Sequence, residues 1–284
     1  MGKRSLFIKA LIFLGVFSVL AGNIIKVDAQ GLIIRQLCQQ EIQYIGERVF
    51  ENECASKDDN LIAWNEGEDF LSLGIGHFIW YPANGKELFE ESFVKFLEYA
   101  KTSGEKIPRW LDKKPFPACP WSSRDSFLSA QSDSRLMELK DFLIKTKPMQ
   151  VAFIVKRLED ALPLILKYAS EDSCEKISSQ VNRLTATFSG IYVLADYVNF
   201  KGLGIVPSEN YHGKGWGLFQ VLEGMKDENE APDALREFAR SANIVLIDRV
   251  KNSPLGRNER KWLPGWQKRV NSYIKQEEVA CLQE

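Results

Sequence analysis

This chain of 284 residues has little histidine, little cysteine and no excess of charge of either sign. Its two histidines and five cysteines include no pair at metal-ligand spacing, so we expect no metal site and no cofactor. The formal net charge of −1 argues against nucleic acid as the main partner, because a phosphate-binding surface leaves a basic excess. We find no internal repeat and no low-complexity tract, so neither a solenoid nor a disordered chain is indicated.

Long apolar runs are also scarce, and the run at the N-terminus is short for a membrane span. Three basic residues precede the uncharged stretch 10–21, a pattern typical of a secretory signal peptide. We predict that residues 1–29 are this signal, with an uncleaved anchor as the alternative. The protein is then exported, periplasmic or secreted, with no stable membrane span once the signal is removed. Its oligomeric state, its disulfide pairing and the cleavage site stay open.

A helical pattern is clearest just after the signal segment. Apolar residues recur at spacings of four, four, three and four from Ile34 to Val49, which predicts one stripe of a helix over residues 32–53. The next position on this stripe is Glu53, whereas Glu51 points outward because the helical period is 3.6 residues. Glu53 is therefore predicted to be the acid on the buried face, near the C-terminal end of the helix.

A short β element follows an acid-rich turn at residues 65–69. Residues 70–76 alternate between large apolar and small side chains, which predicts a strand with an apolar back and a nearly bare front. The residues expected on this front are Ser72, Gly74 and Gly76. His77 falls on the apolar face by the same parity, and we interpret it as a structural histidine paired to an acid.

The rest of the chain is predicted to be largely helical, apart from a proline-rich loop at 105–130 and a glycine-rich loop at 201–215. We therefore predict a mainly α (α+β) fold. Residues 30–100 form a small N-terminal lobe with a short β-hairpin or sheet, and residues 101–284 form an enlarged helical C-terminal lobe.

The acids near this β element suggest glycoside cleavage, which needs one acid for the leaving oxygen and usually a second carboxylate. A general acid must hold its proton near neutral pH, and burial on an apolar helix face favours this. Glu53 fits that role, with a salt-bridged structural glutamate as the alternative. Glu66, Glu68 and Asp69 are candidates for the second carboxylate. Ser72 is a candidate for hydrogen bonding to the attacking water or to a sugar hydroxyl.

The glycines of the predicted strand are candidates for substrate binding. Glycine in a strand lets a ligand lie close to the backbone, so Gly74 and Gly76 are predicted to face a polysaccharide. A bulge or a tight corner at these two positions is the alternative.

The segment Leu73–His77, read as Leu-Gly-Ile-Gly-His, resembles the N-terminal lobe of phage-type lysozymes (endolysins) of the lysozyme-like superfamily. The resemblance implies Glu53 as general acid, Glu66 as the carboxylate of the β-turn, and Ser72 in place of the family's threonine. It also implies a lysozyme-like fold. The stretch between Glu53 and Glu66 is a few residues longer than in the family, and Glu68 competes with Glu66.

Two later segments carry further resemblances. Leu263–Val270 is similar to the Pro-Gly-…-Arg helix that closes many endolysins. Gly215–Val221 is similar to the Gly-Leu-Met-Gln motif of lytic transglycosylases, which implies that Gln220 binds sugar and that Trp216 stacks on a sugar ring. Tyr211, in the preceding loop, would join them. The alternative is a glycine-started helix with a tryptophan in the core.

These observations predict an exported enzyme that cleaves the glycan strand of peptidoglycan. It would be a lysozyme-like muramidase or a lytic transglycosylase, and the sequence does not separate the two. The alternative is a non-catalytic envelope or glycan-binding protein on a lysozyme-like scaffold, since a fold by itself does not imply activity.

Overall fold

The computed structural model describes residues 25–27, 32–34, 37–85, 89–230 and 232–275. The predicted signal peptide lies outside these residues except for strand β1 (Ile25–Val27), near its end. β1 pairs antiparallel with β2 (Leu32–Ile34). The prediction of a helix starting near residue 32 is therefore wrong, because this segment is extended.

The chain is mainly helical, with 63% helix and 6% strand, which confirms the predicted class. Much of the predicted proline-rich loop is indeed irregular, although a short helix closes it. The described helices are α1 (Gln39–Cys54), α2 (Ser92–Thr102), α3 (Arg124–Ser129), α4 (Ser134–Lys145), α5 (Lys147–Tyr168), α6 (Glu171–Thr185), α7 (Phe188–Lys201), α8 (Leu218–Glu223), α9 (Ala234–Asn252) and α10 (Leu263–Ser272).

Helix α1 carries the predicted apolar stripe on its inner face. Ile45 and Val49 are fully buried, as expected from their spacing. Ala55 follows the helix with φ +49°, a left-handed conformation that ends a helix. Glu53 therefore lies in the last turn of α1, where the chain leaves the helix toward the β element.

The β element is a three-stranded antiparallel sheet in the order β3–β4–β5, where β3 is Ile62–Ala63, β4 is Leu71–Leu73 and β5 is Phe78–Trp80. Leu71 lies opposite Trp80 and Leu73 lies opposite Phe78. A second, two-stranded hairpin, β6 (Asn210–Tyr211) with β7 (Lys214–Gly215), lies in the glycine-rich loop.

The predicted strand over residues 70–76 stops at Leu73, and residues 74–77 form the turn between β4 and β5. Gly74 has φ +70° and His77 has φ +47°, so neither residue continues the extended chain. The His77 N–H donates to the Gly74 carbonyl at 3.2 Å and closes the turn. The strand parity therefore does not apply beyond Leu73, and the prediction for His77 must be replaced.

Helix α5 connects the sheet region to the remaining helices, because it packs against α1, α2 and α7. The Phe153 ring on α5 lies 5.3 Å from the Phe78 ring on β5 and 5.7 Å from the Phe96 ring on α2. Burial of each such side chain contributes about 1.5–3 kcal/mol. The buried apolar residues of both predicted lobes form one contiguous core within the described part of the chain.

Within the described ranges, we find no helix that combines the length and the apolar character required to cross a bilayer.

Candidate active site

Glu53 lies in a polar site between the end of α1, the turn 74–77, and the helices α7 and α10. Its Oε1 atom accepts a hydrogen bond from Arg269 Nη1 at 2.8 Å and a longer one from Asn199 Nδ2 at 3.4 Å. Its Oε2 atom lies 3.5 Å from His77 Nδ1. The Glu53 side chain is 13% exposed, so it remains within reach of solvent. The prediction of apolar surroundings for Glu53 is thus wrong, because its carboxylate contacts polar side chains.

Arg269 is held in place by a second carboxylate, that of Asp196 on α7. Its Nε and Nη2 atoms donate to the two oxygens of Asp196 at 2.8 and 2.7 Å, a bidentate geometry. The guanidinium also lies over the Phe200 ring, 4.2 Å from its centroid. Burial lowers the pKa of Arg269, but Asp196 and Glu53 outweigh burial and raise the pKa well above its ordinary value. Arg269 is a fixed positive charge against Glu53.

Asp196 is fully buried and accepts further hydrogen bonds. Tyr273 donates its hydroxyl, and Asn52 Nδ2 donates at 3.4 Å. Burial raises the pKa of Tyr273 well above its ordinary value and the charge of Asp196 adds to the effect, so Tyr273 stays protonated as a donor. A buried carboxylate with several donors is a rigid anchor, and it fixes the position of Arg269.

Asn199 connects Glu53 to a second charged group. Its Nδ2 also donates to the Gly76 carbonyl at 3.1 Å, and its Oδ1 accepts from Arg157 Nη1 at 3.2 Å. Arg157 in turn pairs with Glu90, with Nη2 and Oε2 3.3 Å apart. Asn199 therefore orients the turn 74–77 and the candidate acid together.

His77 lies beside Glu53 instead of on the apolar back of a strand. The predicted pairing with an acid is present, but the acid is Glu53 itself. Its other ring nitrogen, Nε2, is buried and has no hydrogen-bond partner among the described residues. His77 is thus a residue of the candidate site, and the interpretation of it as a core histidine is corrected.

The acids of the turn before β4 differ in their surroundings. Glu66 is exposed, and its carboxylate makes no ion pair within the described part of the chain. Glu68 is half-buried and accepts a hydrogen bond from Asn65 Nδ2 at 3.0 Å. Burial raises the pKa of Glu68, while the bond from Asn65 and the nearby His77 act in the opposite direction. Glu68, not Glu66, is therefore the turn carboxylate on which the charge of His77 acts.

Ser72 and the two glycines are covered by protein. Ser72 is 3% exposed and lies between Ala63 and Ile79 in the sheet. A Cβ atom on Gly74 would lie 2.3 Å from Gln150 Oε1, and one on Gly76 would lie 2.4 Å from the Phe78 ring.

Gln150 is fully buried, and its Oε1 accepts the Ile75 N–H at 2.8 Å. The glycines therefore allow side chains of this protein, not a polysaccharide, to approach the backbone. The predicted bare strand front is corrected to a packed turn.

The predicted sugar-binding residues of the glycine-rich loop differ in burial: Trp216 is buried, whereas Tyr211 and Gln220 are half-buried. Trp216 is 2% exposed. Its ring centroid lies 4.5 Å from that of Tyr211, with the ring planes inclined by 50°, and 4.1 Å from the guanidinium carbon of Arg249. Trp216 is thus covered by protein. Gln220 Oε1 accepts the Gly217 N–H at 3.0 Å, at the start of α8. Gln220 is half-buried and lines a pocket with Tyr168 and Gly215, while its Nε2 donates to the Gly204 carbonyl at 2.9 Å.

Sequence reasoning missed Asn199 and Asp196, which stand on the nearly all-buried helix α7. The signal was present, because an aspartate within an apolar helix is rarely buried without a partner. Arg269 lies in the segment Leu263–Val270, which is similar to the closing helix of endolysins, but no role was predicted for it.

Comparison with protein-family models, curated proteins and solved structures found no match to this chain.

Proposed function

We propose that this protein is an exported glycosidase that cleaves the glycan strand of peptidoglycan, on a lysozyme-like fold with Glu53 as general acid. The observation that carries the proposal is the position of Glu53. It lies in the last turn of the first long helix, against the glycine-containing turn 74–77. Its Oε2 lies 3.5 Å from Nδ1 of the partly exposed His77. The resemblance of Leu73–His77 to endolysins supports the same role.

The geometry assigns different tasks to the two oxygens of Glu53. Oε1 is held by Arg269 and Asn199, so Oε2 is the atom that gives its proton to the leaving sugar oxygen. Proton transfer converts the acid into a carboxylate, and the fixed charge of Arg269 stabilises that product as it forms. A preorganised charge of this kind favours the transition state over the ground state.

Glu68 is the proposed second carboxylate, in place of Glu66. It is partly shielded from water and lies near His77, where it stabilises positive charge on the sugar ring or orients a water molecule. Its role is supported by burial and by the influence of His77 on its pKa. Glu66, by contrast, is exposed and forms no ion pair with a residue that the structure describes.

Replacement of Glu53 by Gln tests the proposal, and Glu51→Gln is a matched control on the outer face of the same helix. Glu51 is exposed and pairs with Arg48 only three residues away. General acid catalysis contributes about 10²–10⁴-fold, so E53Q should lose that factor in the release of soluble fragments from sacculi. E51Q should retain activity. Full activity of folded E53Q, with the fold checked by circular dichroism, would refute the catalytic role.

A non-catalytic glycan-binding or envelope protein is the second candidate. The observation that favours it is the complete ion pair between Glu53 and Arg269, which is typical of a structural contact. This alternative predicts that wild type and E53Q bind sacculi equally and that neither releases fragments.

Hydrolysis and lytic transglycosylation leave different products. Both polar atoms of the Gln220 side chain bond to the loop backbone, which weakens one argument for the transglycosylase. Mass spectrometry of the released fragments separates the two, because anhydro ends arise from transglycosylation.

A further inference from the structure

Two tryptophans lie at the start of the helix that carries Arg269. Trp262 precedes α10 and Trp266 lies one turn later, with ring centroids 6.1 Å apart and ring planes inclined by 37°. Trp262 is 41% exposed, although large aromatic side chains are usually covered. Exposed aromatic rings of this kind are enriched at binding sites.

A continuous row of contacts connects these rings to Glu53. The Lys201 amine lies 3.5 Å from the centroid of the Trp266 ring and 3.9 Å from that of Phe200. The guanidinium that pairs with Glu53 lies on the same Phe200 ring, at 4.2 Å. Lys201 and Phe200 thus link the tryptophan pair to the arginine that pairs with Glu53.

The surface around the pair is positively charged. Lys261 Nζ lies 4.9 Å from the centroid of Trp262, and Arg260 and Lys268 are exposed nearby in sequence. None of these three cations forms an ion pair with a carboxylate that the structure describes. The acid of the same segment, Glu259, is fully buried and is neutralised by Arg249 at 2.8 Å. The exposed charge is thus cationic and available for a ligand.

We propose that Trp262, Trp266 and Lys201 form a subsite for a sugar ring that carries a carboxylate. The apolar face of the ring stacks on Trp262, and its acidic substituent pairs with Lys201 and Lys261. The proposal rests on the proposed function, because it names the part of the glycan that binds next to Glu53.

The environment of Lys201 supports this assignment. Burial lowers the pKa of Lys201 well below its ordinary value, and the neighbouring Arg249 and Arg269 add to this effect. Glu259 and Glu53 raise the pKa of Lys201, but by less than burial and the two arginines lower it. An incoming carboxylate favours the protonated amine, so binding raises the pKa of Lys201. Affinity for the acidic sugar should then fall as the pH rises through the lowered pKa of free Lys201.

The test is equilibrium binding by calorimetry of two soluble tetrasaccharides to the full-length E53Q variant, in which the proposed cleavage is blocked. One is a peptide-free murein glycan, whose muramic acid rings carry a carboxylate, and the other is neutral chitotetraose. We expect the acidic glycan to bind more tightly and W262A to weaken its binding about 10-fold or more. W262L retains apolar bulk without the ring and should show the same loss, which separates stacking from folding.

K201M should weaken the preference for the acidic glycan, because only Lys261 still pairs with the carboxylate. It should also remove the pH dependence that comes from Lys201, while it retains an apolar side chain against Trp266. Y168A is the matched control, since Tyr168 is 56% exposed and its ring packs on Phe219 instead. Unchanged binding in both Trp262 variants would overturn the proposal. So would equal affinity for the two tetrasaccharides, or binding to anionic lipid vesicles without glycan binding. These measurements do not use turnover, so they stand apart from the catalytic test of E53Q against the wild type.

Discussion

Replacement of Arg269 by methionine should destabilise the protein strongly, because it leaves a buried carboxylate without its cation. Asp196 is fully buried and receives two hydrogen bonds from Arg269, at 2.7 and 2.8 Å. Removal of one partner from a buried pair costs about 3–5 kcal/mol of unfolding free energy. Tyr273 and Asn52 still donate to Asp196 in this variant, so we expect the lower end, about 3 kcal/mol.

The assay is urea unfolding of wild type and variants, followed by far-UV circular dichroism. The double variant R269M/D196N removes the buried charge together with its partner, and it should recover most of the loss, as neutral replacements of buried pairs often do. Arg135→Met is the matched control, because Arg135 makes a similar bidentate pair with Asp133 on the surface. That variant should lose less than about 1 kcal/mol.

A loss in R269M no larger than that in R135M would refute the reasoning, because Asp196 would then not depend on Arg269 for its charge. A double variant that is as unstable as R269M would contradict it in another way. The loss would then come from packing against Phe200 and not from the unpaired carboxylate.

Two further predictions concern the turn before β5 and the acid Glu259. Gly74→Ala should lower the free energy of unfolding by about 1–2 kcal/mol, because Gly74 has a left-handed φ. Overpacking of the new Cβ against Gln150 should lower it by a further ~1–3 kcal/mol. Gly67→Ala, with φ +82° and nothing within 4 Å, should lose the first part alone, and equal losses in urea unfolding would contradict this. Burial raises the pKa of Glu259, but hydrogen bonds from Arg249 and other donors outweigh it and lower the pKa below 4.5. Its stabilisation is thus present above that value and lost as the pH falls through the lower folded pKa. E259Q should make the free energy of unfolding depend less on pH at acidic pH. An unchanged dependence would count against the pairing of Glu259 with Arg249.

The helical class and the stripe of α1 follow from local patterns. The apolar spacing up to Val49 put Glu53 on the inner face without any knowledge of the rest of the chain. This succeeds because the helical period depends on backbone geometry and not on distant contacts.

The turn at 74–77 shows where local reasoning fails. Alternation of large and small residues predicts a strand, but Gly74 adopts a positive φ in which the buried Gln150, from α5, reaches the backbone. The pattern contains no information about a residue so far away in sequence. The departure from the strand at Gly74 then places His77 beside Glu53 and not in the core.

The sequence by itself determined a mainly helical protein, an acid at the inner end of its first long helix, and a short strand in a β element after that helix. These features depend on residues that are close along the chain. The tertiary structure alone decided which groups surround Glu53, because Arg269 and Asn199 are separated from it by 216 and 146 residues. It also decided that the charge of His77 acts on Glu68 and that Trp216 is covered by protein. Burial and electrostatic pairing depend on packing across the whole chain, so they appear only when the helices are in place.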